Sequence, residues 1–307
     1  MRIAITGGAG FIGSHIADAY VAEGHTVLVI DDLSSGRREQ VPAKATLVQA
    51  DIRSPEAAKA LADFKPEVLN HHAAQIDVRK SVADVRYDAD VNLVGLLNVV
   101  EASRRAGARR VIFASSGGAM YGVQSHFPAG ESHPVAPISP YGVAKASGEL
   151  YLQAFAAMYG LEWVALRYAN VYGQRQNSAG EAGVVAIFSR RLLAGEPCAI
   201  YGDGSATRDF VHVSDVVRAN VLAITTAHKG AVNIGTGVET SVTALYAEIA
   251  RAAGSKLAAR HEAGRLGDLA RSSLDAAFAR TALGWAPKVA LAEGIAQTVG
   301  WFRATPR

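Results

Sequence analysis

The chain has 307 residues, half of them hydrophobic, with a formal net charge of +3 and an isoelectric point near 9.0. That length supports one large or two interlocked domains, and the arginine pairs at 37–38, 104–105, 109–110 and 190–191 are scattered, so no nucleic-acid surface is expected. Cys198 is the only cysteine, no apolar run reaches membrane-spanning length and no signal sequence precedes the first strand; a cytoplasmic protein with no membrane partner is the expectation.

Residues 2–6 read as a short buried strand and 11–23 as an amphipathic helix, which places Thr6-Gly7-Gly8-Ala9-Gly10-Phe11-Ile12-Gly13 at the turn between them. Glycine serves three purposes in such a turn. It bends the chain tightly, lets backbone N–H groups approach a pyrophosphate and lets helix and strand pack closely, while the helix N-terminus faces the negative charge. The run fits both Gly-x-Gly-x-x-Gly from Gly8 and Gly-x-x-Gly-x-x-Gly from Gly7, so spacing alone does not name the subclass. A second strand over 26–30 ends in Asp31 and Asp32, close to the distance at which an acid meets the adenosine ribose. A carboxylate there repels a 2′-phosphate, which points to NAD over NADP.

After a loop through Ser34-Ser35-Gly36, a third strand over 46–50 ends in Asp51-Ile52. Further strands are expected over 67–70, 110–114 and 162–167, with helical patterns at 55–63 and 82–106. Strands separated by helices imply a parallel sheet covered on both faces, with ligands at the carboxyl ends of the strands. Three distinctive stretches fall at those ends: His71-His72-Ala73-Ala74-Gln75, Ser115-Ser116-Gly117-Gly118, and Asn170. The histidine pair has no second cluster at ligand spacing, so packed or hydrogen-bonded histidines are expected and no metal. A helix over 141–159 sets Tyr141 and Lys145 one turn apart on one face. An ammonium beside a phenol favours the phenolate and moves it toward the pKa of a general base.

Past Asn170 come a polar, turn-rich stretch to residue 183, a helix over 184–193, Tyr201-Gly202-Asp203-Gly204, a strand over 210–213, and helices over 215–225, 241–253 and 294–302. The fold expected is α/β, a Rossmann-like doubly wound parallel sheet with a smaller carboxyl-terminal α/β domain. Residues 1–170 form the first domain, with a returning segment near 208–237, and 171–307 form an interleaved second domain.

The chain resembles the extended short-chain dehydrogenase/reductase family of NAD-dependent epimerases and dehydratases, and within it the UDP-glucose 4-epimerases. The resembling segments span nearly the whole length: the glycine turn to Ser14, His72-Ala73-Ala74-Gln75, Asp90-Val91-Asn92, 115–122, Ser139-Pro140-Tyr141 with Lys145, 167–173, 208–213, and Arg265-Leu266-Gly267-Asp268. The resemblance implies that Gly7, Gly10, Phe11, Ile12, Gly13, Asp31, Asp32, Ser35, Gly36, Asp51, Ile52, Ala73, Ala74, Gln75, Asn92, Ser115, Tyr141, Lys145 and Tyr168 hold NAD. Tyr141 is implied as the base on the sugar 4-hydroxyl and Lys145 as its partner on the nicotinamide ribose. A no-gap match from Tyr121-Gly122 puts Gly117 where the family's hydroxyl residue stands. The hydroxyl role therefore goes to Ser116, with Ser115 as the other possibility. Asn170, Arg208 and Arg265 are implied as a diphosphate clamp, with Val184, Val185 and Tyr201 beside the uracil and Asp268 at its ribose.

Dehydratases of the family carry an acidic pair after the strand-five hydroxyl residue, and decarboxylases need an acid near that loop; here Gly117 and Gly118 follow. The implied reaction is 4-epimerisation of UDP-glucose and UDP-galactose. Two other readings stay open: a 4-epimerase of UDP-N-acetylhexosamine or UDP-glucuronate, since Ser272 is small, and a nucleotide-sugar-binding regulator without catalysis. The family's usual homodimer, paired through the helices expected over 82–106 and 141–159, is a further implication.

Overall fold

In the computed structural model, residues 1–177, 183–264 and 269–305 are described. Ile3 and Ile5 of the first strand turn to one apolar cluster with Ile16, Tyr20 and Val216, while Ala4 between them turns to another with Leu61, Leu96 and Val99. A strand buried on both sides belongs inside a parallel sheet with helices on each face. The strands are β1 (Arg2–Thr6), β2 (Thr26–Asp31), β3 (Thr46–Gln49), β4 (Val68–His71), β5 (Arg110–Ser116), β6 (Glu162–Tyr168), β7 (Asn170–Tyr172), β8 (Ala199–Tyr201), β9 (Thr207–His212), β10 (Gly230–Ile234), β11 (Glu239–Ser241) and β12 (Arg260–Glu262).

Seven of them make the main sheet in the order β10-β6-β5-β4-β1-β2-β3, every neighbouring pair parallel. The order reverses at β1, which lies between β2 and β4, so the carboxyl ends of β1 and β4 flank the switch point where ligands bind. Within the segment expected to return to the sheet, Gly230–Ile234 joins, with Gly230 opposite Val164 and Ile234 opposite Tyr168. The strand expected over 210–213 is β9, and it pairs with β7 and β11 in a separate three-stranded sheet. Around it, helices Val184–Leu193, Val242–Ala253 and Leu291–Ala304 enclose their own apolar cluster of Phe188, Ile200, Phe210, Leu245, Ile249 and Val299.

One expected element differs in kind. The long helix expected over 82–106 is four pieces: Val78–Ala83, Val85–Ala89, a π-helical turn Asp90–Val94, and Gly95–Arg105. Asp84 breaks the run because its side chain accepts from the Tyr87 amide and restarts the helix there. The widened turn that follows carries Asn92, and single π turns recur at functional sites. By contrast, the helix Pro140–Tyr159 is continuous, with Pro140 in its first turn and the Ser139 hydroxyl accepting from the Gly142 amide at 3.2 Å. Among the described residues no helix is long and apolar enough to cross a membrane.

Candidate active site

A cleft of about 830 Å³ follows the carboxyl ends of the main sheet, and of the residues expected to hold the dinucleotide all but Gly36 and Asn92 line it. Its floor is the first turn. Gly7 has φ +71°, and a Cβ there would stand 2.6 Å from the Ala73 nitrogen. A Cβ on Gly13 would stand 2.2 Å from the Gly7 oxygen. No side chain fits at either place, so backbone alone forms the cradle. Gly10 caps the helix Phe11–Ala22 without a side-chain hydrogen bond, which leaves its first amides facing the cleft.

Gly36 and Asn92 support the cleft from behind. A Cβ on Gly36 would meet Ala9 at 2.8 Å, and the Arg37 amide donates to the Ala9 oxygen at 2.9 Å, so the loop is pinned across the glycine turn. Asn92 brackets the Gln75 backbone, accepting from its N–H at 2.9 Å and donating to its carbonyl at 3.0 Å. Asp31 is buried, with its Oδ2 accepting from the Ala9 amide and its Oδ1 from the Leu33 amide, both at 2.9 Å. Burial raises its pKa against those bonds. Asp51 is held low by its bonds from Arg53, which also reaches Asp90 at 2.6 Å.

Lys145 and Tyr141 share the cleft wall. The Lys145 Nζ is buried, donates to the Ala114 carbonyl at 2.8 Å and lies 4.9 Å from the Phe113 ring centre and 5.7 Å from that of Tyr141. Burial pulls its pKa down to about 8, against the pull of Asp88 and Glu149. The Tyr141 phenol is shifted upward, first by burial and then by Asp88. The ammonium itself is directed at the end of β5.

The two serines of β5 are distinguished by their partners. Ser115 Oγ donates to Glu149 Oε1 at 2.6 Å and is buried. Ser116 is half-buried and its Oγ caps the short helix Gly117–Met120, accepting from the Ala119 amide at 3.3 Å. A Cβ on Gly117 would lie 2.6 Å from Leu274, whereas one on Gly118 would meet only Ser272 Oγ at 3.9 Å and Asn170 Oδ1 at 4.0 Å. Behind them Glu149 and Arg167 form a buried bidentate pair, with Nη2 to Oε2 at 2.6 Å, and Arg167 also donates to the Tyr121 hydroxyl at 2.9 Å. Glu149 was not singled out from the sequence, although it continues the one-turn spacing of Tyr141 and Lys145.

The histidines are hydrogen-bonded, as expected. His71 Nδ1 lies 2.7 Å from Thr6 Oγ1, and its ring stacks on Phe113 at 5.9 Å. His72 Nε2 lies 3.1 Å from the Tyr168 hydroxyl, which accepts from Asn220 at 2.8 Å. Burial lowers the His72 pKa to about 3 and that of His71 well below its ordinary value, so both rings are neutral.

Of the positions expected to hold the rest of a nucleotide sugar, Asn170, Val184, Val185, Tyr201 and Arg208 lie outside this cleft. Asn170 is exposed at the start of β7, Val184 opens the helix behind an uncapped Gly183, Tyr201 is exposed at the end of β8, and Arg208 of β9 donates to the Thr207 carbonyl at 2.8 Å. Val185 turns the other way: its side chain is buried in the cluster with Phe188 and Leu192, so only its backbone is free to face a ligand. Arg265 and Asp268 lie outside the described residues.

A family model described as the NAD dependent epimerase/dehydratase family matches residues 3–235. The chain is 51% identical to a UDP-glucose 4-epimerase of Mycolicibacterium smegmatis, covering 99% of each. A crystal structure of the UDP-glucose 4-epimerase of Thermotoga maritima with UDP-glucose superposes with a TM-score of 0.97 at 45% identity, covering 99% of each chain. One of the Thermus thermophilus UDP-glucose 4-epimerase in complex with NAD gives 0.94 at 44% identity, covering 100% of each. The chain belongs to the NAD dependent epimerase/dehydratase family.

Proposed function

We propose that this protein is a UDP-glucose 4-epimerase, interconverting UDP-glucose and UDP-galactose with NAD held in the cleft. The observation that carries the reading is the pairing of Tyr141 and Lys145 in the cleft wall with glycine at 117 and 118, where a dehydratase needs acids. The cradle fits a dinucleotide: side chains are excluded at Gly7 and Gly13, the helix amides are uncapped, and Asp31 lines the adenosine end. Bound there, NAD supplies a hydride acceptor that also returns the hydride, and a positive charge beside the Tyr141 phenol.

Tyr141 takes the proton of the sugar 4-hydroxyl and later gives it back to the same oxygen, so a single acid–base group serves both directions. Ser116 donates to that oxygen, because its Oγ accepts from the Ala119 amide and keeps its own O–H to give. Ser115 is assigned to Glu149. Lys145 fixes the nicotinamide end, Asn170, Arg208 and Arg265 meet the diphosphate, and Asp268 accepts from the ribose beside the uracil. Val184 presents its side chain to the uracil and Val185 its backbone. The two-part division of the chain near residue 170 belongs to this reading and is supported by the separate apolar cluster around Phe210.

Purified protein given UDP-galactose yields UDP-glucose without net NADH; release of a 4-keto-6-deoxy sugar or of carbon dioxide overturns the reading. A broader sugar range has one observation in its favour: the space at Gly118 opens on Ser272 and Asn170. Turnover of UDP-N-acetylglucosamine beside UDP-glucose decides it. A homodimer is part of the same reading, since Val94, Leu150, Tyr151 and Met158 are exposed apolar side chains on the helices of the expected interface. Sedimentation at micromolar protein gives twice the chain mass; a monomer there refutes it.

A further inference from the structure

Asp88 is a buried carboxylate that neither the cradle nor the proton transfer has so far required. It lies on the helix Val85–Ala89 and is 1% exposed. Its Oδ1 accepts from Gln75 Nε2 at 2.8 Å and from Asn92 Nδ2 at 3.0 Å. Asn92 grips the Gln75 backbone in turn, and Gln75 Nε2 also donates to the Asp77 carbonyl at 2.9 Å. The segment lining the cleft after β4 is thereby anchored to Asp88. An asparagine offers the same acceptor oxygen at no cost of burying a charge, so the anchoring alone does not explain an anion here.

What the anion faces does explain it. The helix Val85–Ala89 and the π turn after it both pack on the helix that carries Tyr141 and Lys145. Asp88 is the first acid to act on each of them. Four other ionisable groups near the pair are engaged or neutral. Glu149 is bound bidentately by Arg167, His71 and His72 are held neutral by burial, and Lys80 of the helix Val78–Ala83 lies over the Tyr87 ring at 4.6 Å.

We propose that Asp88 is a positioning residue of the reaction, acting through Tyr141 and Lys145: held by Gln75 and Asn92 on a helix packed against theirs, its charge balances the buried ammonium beside the phenol. The inference rests on the epimerase reading for its kinetic part only. Removing a negative charge stabilises the phenolate and destabilises the ammonium, so both groups titrate at lower pH. In Asp88→Asn, which keeps the acceptor oxygen, the kcat/KM profile moves to lower pH by about one unit at both limbs. Asp88→Glu, which keeps the charge, leaves the profile in place.

A second readout does not depend on turnover. Tyrosinate absorbance is titrated in the holoenzyme as purified, for the parent and Asp88→Asn, each against its Tyr141→Phe counterpart. The Tyr141 component moves down by about one unit in Asp88→Asn. An unmoved titration and profile in Asp88→Asn, or an equal shift in Asp88→Glu, overturns the role of Asp88. Absence of epimerase activity in the parent overturns the functional reading instead, and the absorbance titration still decides on Asp88.

Discussion

Tyr141→Phe lowers kcat for the interconversion of UDP-glucose and UDP-galactose by about 10²–10⁴-fold, the range a positioned acid–base group supplies. The substitution removes one oxygen and keeps the ring beside Lys145, so the helix Pro140–Tyr159 and the cradle stay as they are. Dinucleotide content, measured by absorbance of the purified variant, therefore remains that of the parent while turnover collapses. The protein's own groups, burial first and Asp88 second, hold this phenol above its ordinary pKa. The variant consequently tests whether this phenol is the acid–base group at all. Activity within a few-fold of the parent removes Tyr141 from the chemistry.

Glu149→Gln destabilises the fold by about 3–5 kcal/mol, the cost of leaving one member of a buried ion pair without its partner. Arg167 is buried, and its guanidinium holds Glu149 through Nε and Nη2 while Nη1 reaches the Tyr121 hydroxyl. Tyr121 passes the contact on to Asn233 Oδ1 at 2.8 Å, so the pair ties the helix Pro140–Tyr159 to β6 and β10 together. Urea unfolding followed by circular dichroism measures the loss. A change below about 1 kcal/mol means that water or a neighbouring acceptor already satisfies Arg167, and that the pair does not hold these elements.

The legible parts of the sequence were those whose chemistry is local. The first turn declares itself because Gly7 and Gly13 are needed within seven residues of one another, and β1 and β2 carry no polar face. Tyr141 and Lys145 are legible by helical spacing. What was not legible depends on distant partners. The helix expected over 82–106 has continuous apolar periodicity, yet the Asp84 side chain, accepting from the Tyr87 amide, breaks it and a π turn at Asp90–Val94 widens it. Val184 and Val185 look alike in sequence, yet the packing of Phe188 and Leu192 draws one of them inward. Ser115 and Ser116 are separated by a glutamate 34 residues away from the first of them. Asp88 is not legible either, although Asn92 stands one turn beyond it, because no spacing rule says that the helix meets Tyr141.

The place of β10 in the main sheet has a consequence for how a newly made chain matures. It covers the outer edge of β6, and it comes from residues 230–234, more than sixty positions after β6 itself. Until that stretch has emerged from the ribosome, β6 offers its open row of N–H and C=O groups to any strand nearby. Asn220, which holds the Tyr168 hydroxyl, arrives in the same late portion. A chain stalled near residue 200 would therefore carry the whole glycine turn and yet lack a finished cleft wall at Tyr168, making sticky fragments with an incomplete cleft the expected fate of truncated synthesis.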